Sequence, residues 1–287
     1  MRVLCTGASG FIGRHVSAEL INCQHEVCRT DIVSDGRDLS LPGALDVVLI
    51  RFLPDVVLHL AAQPGRLFAD RDPSETIRLN STMAMEVARS CAKHSVRLAY
   101  VSTSEVYGAT DQVCREDDDC KPINLYGLTK LWGEQVTRLY APDAIVIRPS
   151  MCYGSHMPTG YGRAALPTFI DDAIHHHEIM VHAGTERSWC YITDIATAIR
   201  LVLEQGSAST TYNIGRDDEP HEMLEIAMMA CDLAGVDHDL INVVDPPQML
   251  SPVKRLSMDR LCSLGFKPLV NLDDGMRKVY DYLLEGN

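Results

Sequence analysis

The chain has 287 residues, and 26 lysines and arginines against 39 aspartates and glutamates give a formal charge of −13. With 46% apolar and 23% charged residues, it has the composition of a globular protein of one large or two small domains. The acidic balance argues against nucleic acid as a partner, because a phosphate backbone needs clustered lysine and arginine. The apolar runs fall far short of the ~18 residues of a membrane span, and residues 1–10 carry no secretion signal. We therefore expect a cytoplasmic protein without a membrane partner.

The ten cysteines are scattered along the chain and form no C-x-x-C pair. The run His175-His176-His177 has no cysteine or carboxylate set at ligand spacing beside it. We expect reduced, mostly buried thiols and no metal site.

Short apolar runs alternate with helical patterns through residues 1–150. The predicted strands are Arg2–Cys5, Glu26–Thr30, Asp55–Leu60, Val96–Ser102 and Ala144–Arg148. The predicted helices are Phe11–Asn22, Ala44–Phe52, Ser74–His94 and Tyr126–Tyr140. This alternation predicts an α/β fold with a doubly wound parallel sheet of the Rossmann type, and we assign residues 1–150 to that domain.

After residue 150 the pattern loosens. Residues 151–167 are rich in glycine, proline and polar residues, which predicts a binding loop. Further helices are predicted over Pro167–Glu178, Asp194–Glu204, His221–Ala234 and Asn271–Leu284. Residues 151–287 are too few for an independent enzyme, so we predict a smaller substrate-binding region with some segments that return to the sheet.

Three glycines, Gly7, Gly10 and Gly13, lie between the first predicted strand and helix. Glycines there allow a tight turn and a close approach of the backbone to a pyrophosphate at the helix N-terminus. The spacing is G-x-x-G-x-x-G, which departs from the G-x-G-x-x-G of the standard dinucleotide motif. Asp31 ends the next predicted strand, where a carboxylate accepts from a ribose 2′-hydroxyl and repels a 2′-phosphate. The segment predicts NAD rather than NADP, a preference that nearby arginines could soften.

Tyr126 and Lys130 are four residues apart in a predicted helix, so both side chains project from one face. A phenol is a poor base at neutral pH, but an adjacent ammonium lowers its pKa by stabilising the phenolate. Two surface residues would give the same spacing, and only the glycine loop makes a catalytic pair the better interpretation.

These features and several others resemble the extended short-chain dehydrogenase/reductase family, which contains nucleotide-sugar epimerases and dehydratases. The resemblance covers nearly the whole chain. Its motifs are Gly7–Gly13, Asp38-Leu39, Leu58–Ala62, Asn80, Ser102–Gly108, Tyr126/Lys130, Arg148-Pro149, Arg187, Tyr191–Ile195 and Tyr212–Gly215.

The resemblance implies a role for each matching residue. Thr103 would hydrogen-bond the sugar O4, Tyr126 would take the O4 proton as hydride leaves C4 for NAD, and Lys130 would bind the nicotinamide ribose. Arg187 and Tyr191 would lie near the nucleotide phosphates or the sugar, together with Thr103 and Ser104. The implied cofactor contacts are Gly7, Gly10, Phe11, Ile12, Gly13, Asp31, Asp38, Leu39, Leu60, Ala61, Ala62, Asn80, Ser102, Tyr126, Lys130 and Pro149.

The pair Ser104-Glu105 bears on the fate of the 4-keto sugar that most of these enzymes form. Dehydratases and sugar-acid decarboxylases of the family use such a Ser-Glu pair, and a glutamate near C5 could remove a proton there. The same string also resembles plain epimerases, in which Glu105 would be a structural partner. Both roles stay open for Glu105, and we include it and Ser104 among the candidate catalytic residues.

Met151 departs from the family, whose epimerases carry an asparagine at this strand end that contacts the nucleotide diphosphate. This feature, and the string Pro122–Leu131, resemble 4-keto-6-deoxysugar reductases instead. The resemblance therefore implies an NAD-dependent epimerase or dehydratase acting on a nucleotide-diphosphate sugar, with a reductase or a uronate decarboxylase as alternatives. A non-catalytic dinucleotide sensor is a remote further alternative, because such a protein would not need Thr103, Tyr126 and Lys130 together.

Family members commonly dimerise through a four-helix bundle built from two helices of each subunit. The resemblance implies a homodimer through Ser74–His94 and Tyr126–Tyr140.

Overall fold

A six-stranded parallel sheet forms the centre of the computed structural model, which describes residues 1–160, 164–247 and 250–286. Its strands lie in the order β2-β1-β3-β4-β6-β11, and every neighbouring pair is parallel. The strands of the described residues are β1 (Arg2–Thr6), β2 (Glu26–Thr30), β3 (Val56–His59), β4 (Arg97–Val101), β5 (Val113–Cys114), β6 (Ile145–Pro149), β7 (Cys152–Tyr153), β8 (Ile179–His182), β9 (Glu186–Ser188), β10 (Cys190–Tyr191), β11 (Thr211–Ile214), β12 (Pro220–Glu222), β13 (Ile241–Val244) and β14 (Val253–Leu256).

Helices cover both faces of the sheet. They are α1 (Phe11–Asn22), α2 (Ile32–Asp35), α3 (Asp46–Phe52), α4 (Arg66–Arg71), α5 (Pro73–Ile77), α6 (Met83–His94), α7 (Leu125–Tyr140), α8 (Ala165–Ile174), α9 (Ile192–Gln205), α10 (Met223–Ala234), α11 (Asp259–Cys262) and α12 (Leu272–Leu284). The central strands β3 and β6 are buried along their whole length and are mostly apolar, because both faces of the sheet are covered. One large apolar cluster, one smaller cluster and a group of three further buried residues, Ala84, Tyr100 and Val136, fill the core. The predicted doubly wound fold is confirmed.

The strand order reverses beside β1, which lies between β2 and β3. In open α/β sheets, ligands bind outside the carboxyl ends of the strands at this point. The glycine loop follows β1, and residues 60–62 follow β3, so both lie at this edge.

Segments from both ends of the chain share the second region. β11 joins the main sheet beside β6, although it lies beyond residue 150. Conversely, β5 pairs with β14, which also pairs with β9 in a small four-stranded sheet. The proposed division at residue 150 stays a prediction. The main sheet does contain a later segment, namely β11.

Several predicted helices differ in detail. The predicted helix Ser74–His94 is divided into α5, a π-helical turn over Arg78–Thr82, and α6. The helix predicted over Pro167–Glu178 covers Ala165–Ile174 instead. His221, predicted as the first residue of a helix, lies in strand β12. Three residues of the predicted loop 151–167, namely 161–163, lie outside the described residues. None of the helices that the structure describes combines the length and apolarity of a membrane span.

Candidate active site

The glycine loop is closely packed against the end of β3. Gly7 has a φ of +67°, and a Cβ there would come within 2.5 Å of the Ala61 backbone nitrogen. Gly10 caps α1, whose first turn has no side-chain cap and no acidic residue. Phe11 and Ile12 are half-buried in that turn. The free N–H groups of this helix end therefore face an edge that favours a negatively charged group.

Asp31 follows β2 and lies beside the glycine loop. One of its carboxylate oxygens accepts from the Ser9 backbone nitrogen at 3.0 Å, and the other accepts from Val33 at the start of α2, also at 3.0 Å. Asp38 is engaged by Ser40 and by the guanidinium of Arg78 at 2.7 Å. These contacts hold the pKa of Asp38 below its usual value.

Four other predicted cofactor residues differ in their burial and in their hydrogen bonds. Leu39 is buried in the smaller core cluster, and Pro149 is buried at the end of β6. The Asn80 amide is engaged by both backbone groups of Gln63 and by Thr129, so it fixes the loop after β3. Ser102 is buried at the end of β4, and its hydroxyl has no hydrogen-bond partner among the described residues.

Thr103 and Tyr126 meet where β4 ends and α7 begins. The Thr103 hydroxyl accepts from the Glu105 backbone nitrogen at 3.2 Å and caps a short 3-10 turn over Ser104–Tyr107. It also lies close enough to the Tyr126 phenol to affect the pKa of that phenol. Gly127 allows this approach, because a Cβ there would lie 2.7 Å from the Glu105 carbonyl oxygen. Burial raises the pKa of Tyr126, and the Thr103 hydroxyl opposes that rise.

Lys130 lies one turn after Tyr126 and is 3% exposed. Its ammonium is 4.5 Å from the centre of the Tyr100 ring, and no carboxylate of the described residues lies within ion-pair distance. Burial lowers its pKa to about 7, an effect that Glu134 opposes. Burial and the nearby Lys130 also lower the pKa of His59 to about 3. The predicted lowering of the Tyr126 pKa by Lys130 is wrong for this arrangement, because burial of the phenol outweighs other effects.

Glu105 is held from two sides. Lys254 forms an ion pair with one carboxylate oxygen, and the Asn124 amide donates to the other at 2.8 Å. Burial alone would raise the pKa of Glu105, but Lys254 and Asn124 together bring it below its usual value. Glu105 is therefore a carboxylate at neutral pH, beside the first turn of α7.

Three candidate substrate residues are more deeply buried than their predicted roles suggest. Ser104 is 3% exposed, and its hydroxyl donates to Ser150 at 3.1 Å. Arg187 donates to the carbonyl oxygens of Glu186, Ser251 and Pro252, so its guanidinium binds backbone. Tyr191 is 5% exposed and packs edge-on against Tyr153.

Met151 takes a φ of +41°, in the left-handed region. An asparagine adopts this conformation more readily than methionine does, because its short polar side chain can hydrogen-bond locally. The departure from the family pattern therefore falls at a strained position next to the candidate site.

Sequence reasoning missed Lys254 and Asn124. Asn124 carries a recognisable signal, since an asparagine directly before a helical pattern predicts an N-cap, and its Oδ1 accepts from Gly127 at 2.8 Å. Lys254 carries none, because its pairing with Glu105 spans 149 residues of chain.

The residues at this edge fit a dinucleotide. The helix end at Gly10 offers unpaired N–H groups, the Ser102 hydroxyl is buried without a partner among the described residues, and Lys130 is a buried cation without a carboxylate. A pyrophosphate could bind at the helix end, and ribose hydroxyls could bind Ser102 and Lys130.

A family model, described as the NAD dependent epimerase/dehydratase family, matches residues 3–215. The chain belongs to this family. Its members are NAD-dependent, which confirms the predicted cofactor, and the resemblance to extended short-chain dehydrogenases/reductases is confirmed as well.

Individual relatives differ in activity. A dTDP-glucose 4,6-dehydratase of Neisseria gonorrhoeae is 28% identical over 338 residues, which cover 99% of this chain and 95% of the relative. A trifunctional UDP-glucose 4,6-dehydratase/UDP-4-keto-6-deoxy-D-glucose 3,5-epimerase/UDP-4-keto-L-rhamnose-reductase of Arabidopsis thaliana is 26% identical over 314 residues. The match covers 98% of this chain but 46% of that relative, so the chain spans about half of its length.

A solved UDP-glucose 4-epimerase of Thermotoga maritima, with UDP-glucose, has a TM-score of 0.91 and 22% identity. It covers 100% of this chain and 99% of the solved chain. At this identity, the likeness establishes the fold alone.

Proposed function

We propose that the protein oxidises a nucleotide-diphosphate sugar at C4, with Tyr126 as the base, and converts the resulting 4-keto sugar. The observation that carries this proposal is the proximity of the Thr103 hydroxyl to the Tyr126 phenol, whose pKa it lowers, with Lys130 one turn further along α7. All three side chains lie at the edge where the glycine loop ends β1. A dinucleotide sensor would not require this arrangement.

Each residue has one task in the proposed step. Thr103 orients the sugar O4 toward Tyr126, which accepts the O4 proton as C4 gives up its hydride. NAD, when bound, accepts that hydride. Burial disfavours the phenolate form of Tyr126, so the phenol must release its proton to solvent before it acts as the base. Lys130 would bind the nicotinamide ribose, as the family resemblance implies.

Several fates of the 4-keto sugar stay possible. Return of hydride to the other face gives an epimer, whereas removal of the C5 proton leads toward a dehydratase. The alternatives are a 4-keto-6-deoxysugar reductase, which Met151 favours, and a uronate decarboxylase. Glu105 separates these classes, because epimerisation at C4 does not need a second base.

The test is the absorbance of the reduced nicotinamide after the NAD-loaded protein is mixed with UDP-, GDP- and dTDP-sugars. We expect a transient rise with one of them, followed by a product that NMR identifies. An enzyme that consumes added NADH instead is a reductase. No absorbance change and no product with any sugar, despite binding, would contradict the proposal.

We also propose a homodimer through α7, whose exposed side carries Leu128, Trp132 and Leu139 at 54%, 40% and 73% exposure. Their spacing places them on one face of the helix. We expect Trp132→Glu with Leu139→Glu to halve the mass measured by light scattering at micromolar concentration. Met180→Glu, an equally exposed apolar residue on β8, is the control and should leave the mass unchanged. A wild-type protein that is already monomeric would refute the dimer.

A further inference from the structure

A buried lysine lies on β14 beside Glu105. The strand alternates, so Lys254 and Leu256 face inward, and Lys254 is 7% exposed. Its register partner on β9 is Arg187, which is 6% exposed. Two buried cations are therefore neighbours on adjacent strands, and Glu105 is the carboxylate that pairs with Lys254.

If these two cations served only to hold the fold together, they would destabilise it. Like charges opposite each other on neighbouring strands repel, and burial of an ammonium carries a desolvation cost. An apolar side chain at position 254 would pack in the same place without either cost. Lys254 is thus better explained by what it does to Glu105 than by packing.

The two contacts of Glu105 also fix its direction. Lys254 binds one oxygen, and Asn124 binds the other while its own Oδ1 caps α7. Tyr126 lies two residues after Asn124, and the Glu105 charge acts on its phenol. The carboxylate and the phenol therefore share one end of α7.

We propose that Lys254 is a positioning residue, which holds Glu105 as a carboxylate beside Tyr126 to take a proton from the carbon next to the C4 ketone. In that step an O–H bond forms on Glu105, the C5–H bond breaks, and its electron pair moves into the enolate of the ketone. This inference rests on the proposed function, and it favours a reaction with a second base over simple C4 epimerisation.

The groups that face this pair come from β9, from α7 with its N-cap, and from β5. Arg187 on β9 and Asn124 before α7 favour ionised Glu105, and Tyr126 lies within reach of its charge. Cys114 on β5 acts on Lys254, whose own pKa burial lowers and Glu105 raises in part. Loss of Lys254 removes the largest of the effects that stabilise the Glu105 carboxylate.

The first test needs no substrate. In protein labelled with carbon-13 at glutamate carboxyls, Glu105→Gln identifies the Glu105 signal, and its titration is followed by NMR. We expect Lys254→Met to raise the Glu105 pKa so that protonation at a given acidic pH increases at least tenfold. Lys254→Arg should restore the wild-type titration. The control is Arg255→Met on the same strand, which pairs with Glu186 instead and should change nothing. An unchanged titration in Lys254→Met would overturn the proposal, whether or not the variant is less stable.

The second test separates the two steps with UDP-glucose and dTDP-glucose as probes. Lys254→Met should reduce bound NAD at near the wild-type rate but form product at least tenfold more slowly, with the acid limb of its pH profile shifted upward. Equal losses in both steps, or no loss in either, would overturn the proposal. If no probe reduces NAD in the wild-type protein, the proposed function fails, while the titration still decides whether Lys254 keeps Glu105 ionised.

Discussion

Two buried lysines belong to the candidate site, and their surroundings differ. Lys130 faces the ring of Tyr100 and has no carboxylate partner among the described residues, and burial lowers its pKa to about 7. Lys254 forms an ion pair with Glu105, which is also fixed by Asn124. The chain compensates the charge of one lysine and leaves the other uncompensated.

The difference indicates which side of the site still needs a ligand. The side of Lys130 adjoins the glycine loop, where a dinucleotide brings the groups that Lys130 lacks. The side of Lys254 is complete before anything binds. Variants on the two sides should therefore have opposite effects on stability, and the predictions below are ordered from the largest effect to the smallest.

The largest effect is expected for Tyr126→Phe, which removes the proposed base and keeps the ring. Loss of a general base typically costs ~10²–10⁴ in rate, or about 3–5 kcal/mol of transition-state stabilisation. The rate of NAD reduction by the active sugar nucleotide measures it. Tyr140→Phe at the exposed end of α7 is the control. A wild-type rate in Tyr126→Phe would show that another group takes the proton.

On the compensated side, Glu105→Gln should destabilise the fold by about 2–4 kcal/mol, because it leaves the buried Lys254 unpaired. The loss should shrink as pH rises, since an unpaired buried lysine is relieved when it loses its proton. Urea unfolding at several pH values measures this. Glu26→Gln, in an exposed pair with Arg2, should have little effect. An equally small loss for Glu105→Gln would mean that the ion pair contributes nothing.

On the uncompensated side, Lys130→Met should stabilise the protein. The folded pKa of Lys130, about 7, lies below its ordinary value of 10.5. The unfolded chain therefore binds the extra proton between these values, and wild-type stability rises with pH across that window. Below pH 7 the charge costs the folded protein about 2–4 kcal/mol, at ~1.4 kcal/mol per pKa unit and allowing for relaxation.

Urea unfolding from pH 6 to pH 10 checks the effect of Lys130→Met. The gain should be greatest at the acidic end and should fade toward the alkaline end. Lys121→Met, an exposed lysine, serves as the control. A variant that is less stable than wild type at pH 6 would contradict an uncompensated charge.

The smallest expected effect is on the choice between NAD and NADP, which would bind on the side of Lys130. The wild-type protein should bind NAD more tightly than NADP, because Asp31 would face the 2′-phosphate. Asp31→Ser should reduce that preference by about tenfold, which corresponds to ~1.4 kcal/mol of repulsion. Titration of the apo-protein with both cofactors tests this, with Glu26→Gln at the other end of β2 as the control. If the wild-type protein binds NADP more tightly than NAD, the prediction is wrong.

The sequence predicted the sheet and the NAD cofactor, for a physical reason. The glycine loop, Asp31 and the residues after β3 belong to local segments, each attached to the end of a buried apolar strand. Period and spacing are sufficient to place such residues. The π-helical turn at Arg78–Thr82 escaped prediction because it continues the helical pattern of its neighbours.

The substrate side was predicted less well, since its contacts join distant parts of the chain. Lys254 reaches Glu105 only because β14 lies between β9 and β5. Arg187 follows a family motif, yet its guanidinium binds three carbonyl oxygens that come from its own strand and from residues 251 and 252. Likewise, the rise in the Tyr126 pKa depends on burial, which a spacing of four residues cannot reveal.

The most direct test of the central claim is a label-transfer experiment with nucleotide sugars deuterated at C4. The NAD-loaded protein is mixed with each labelled sugar, quenched early, and the nicotinamide is examined by NMR. We predict that deuterium from C4 appears on the nicotinamide in wild type and is nearly absent in Tyr126→Phe at the same time point. A sugar that is converted to product without any transfer of deuterium from C4 would contradict the account.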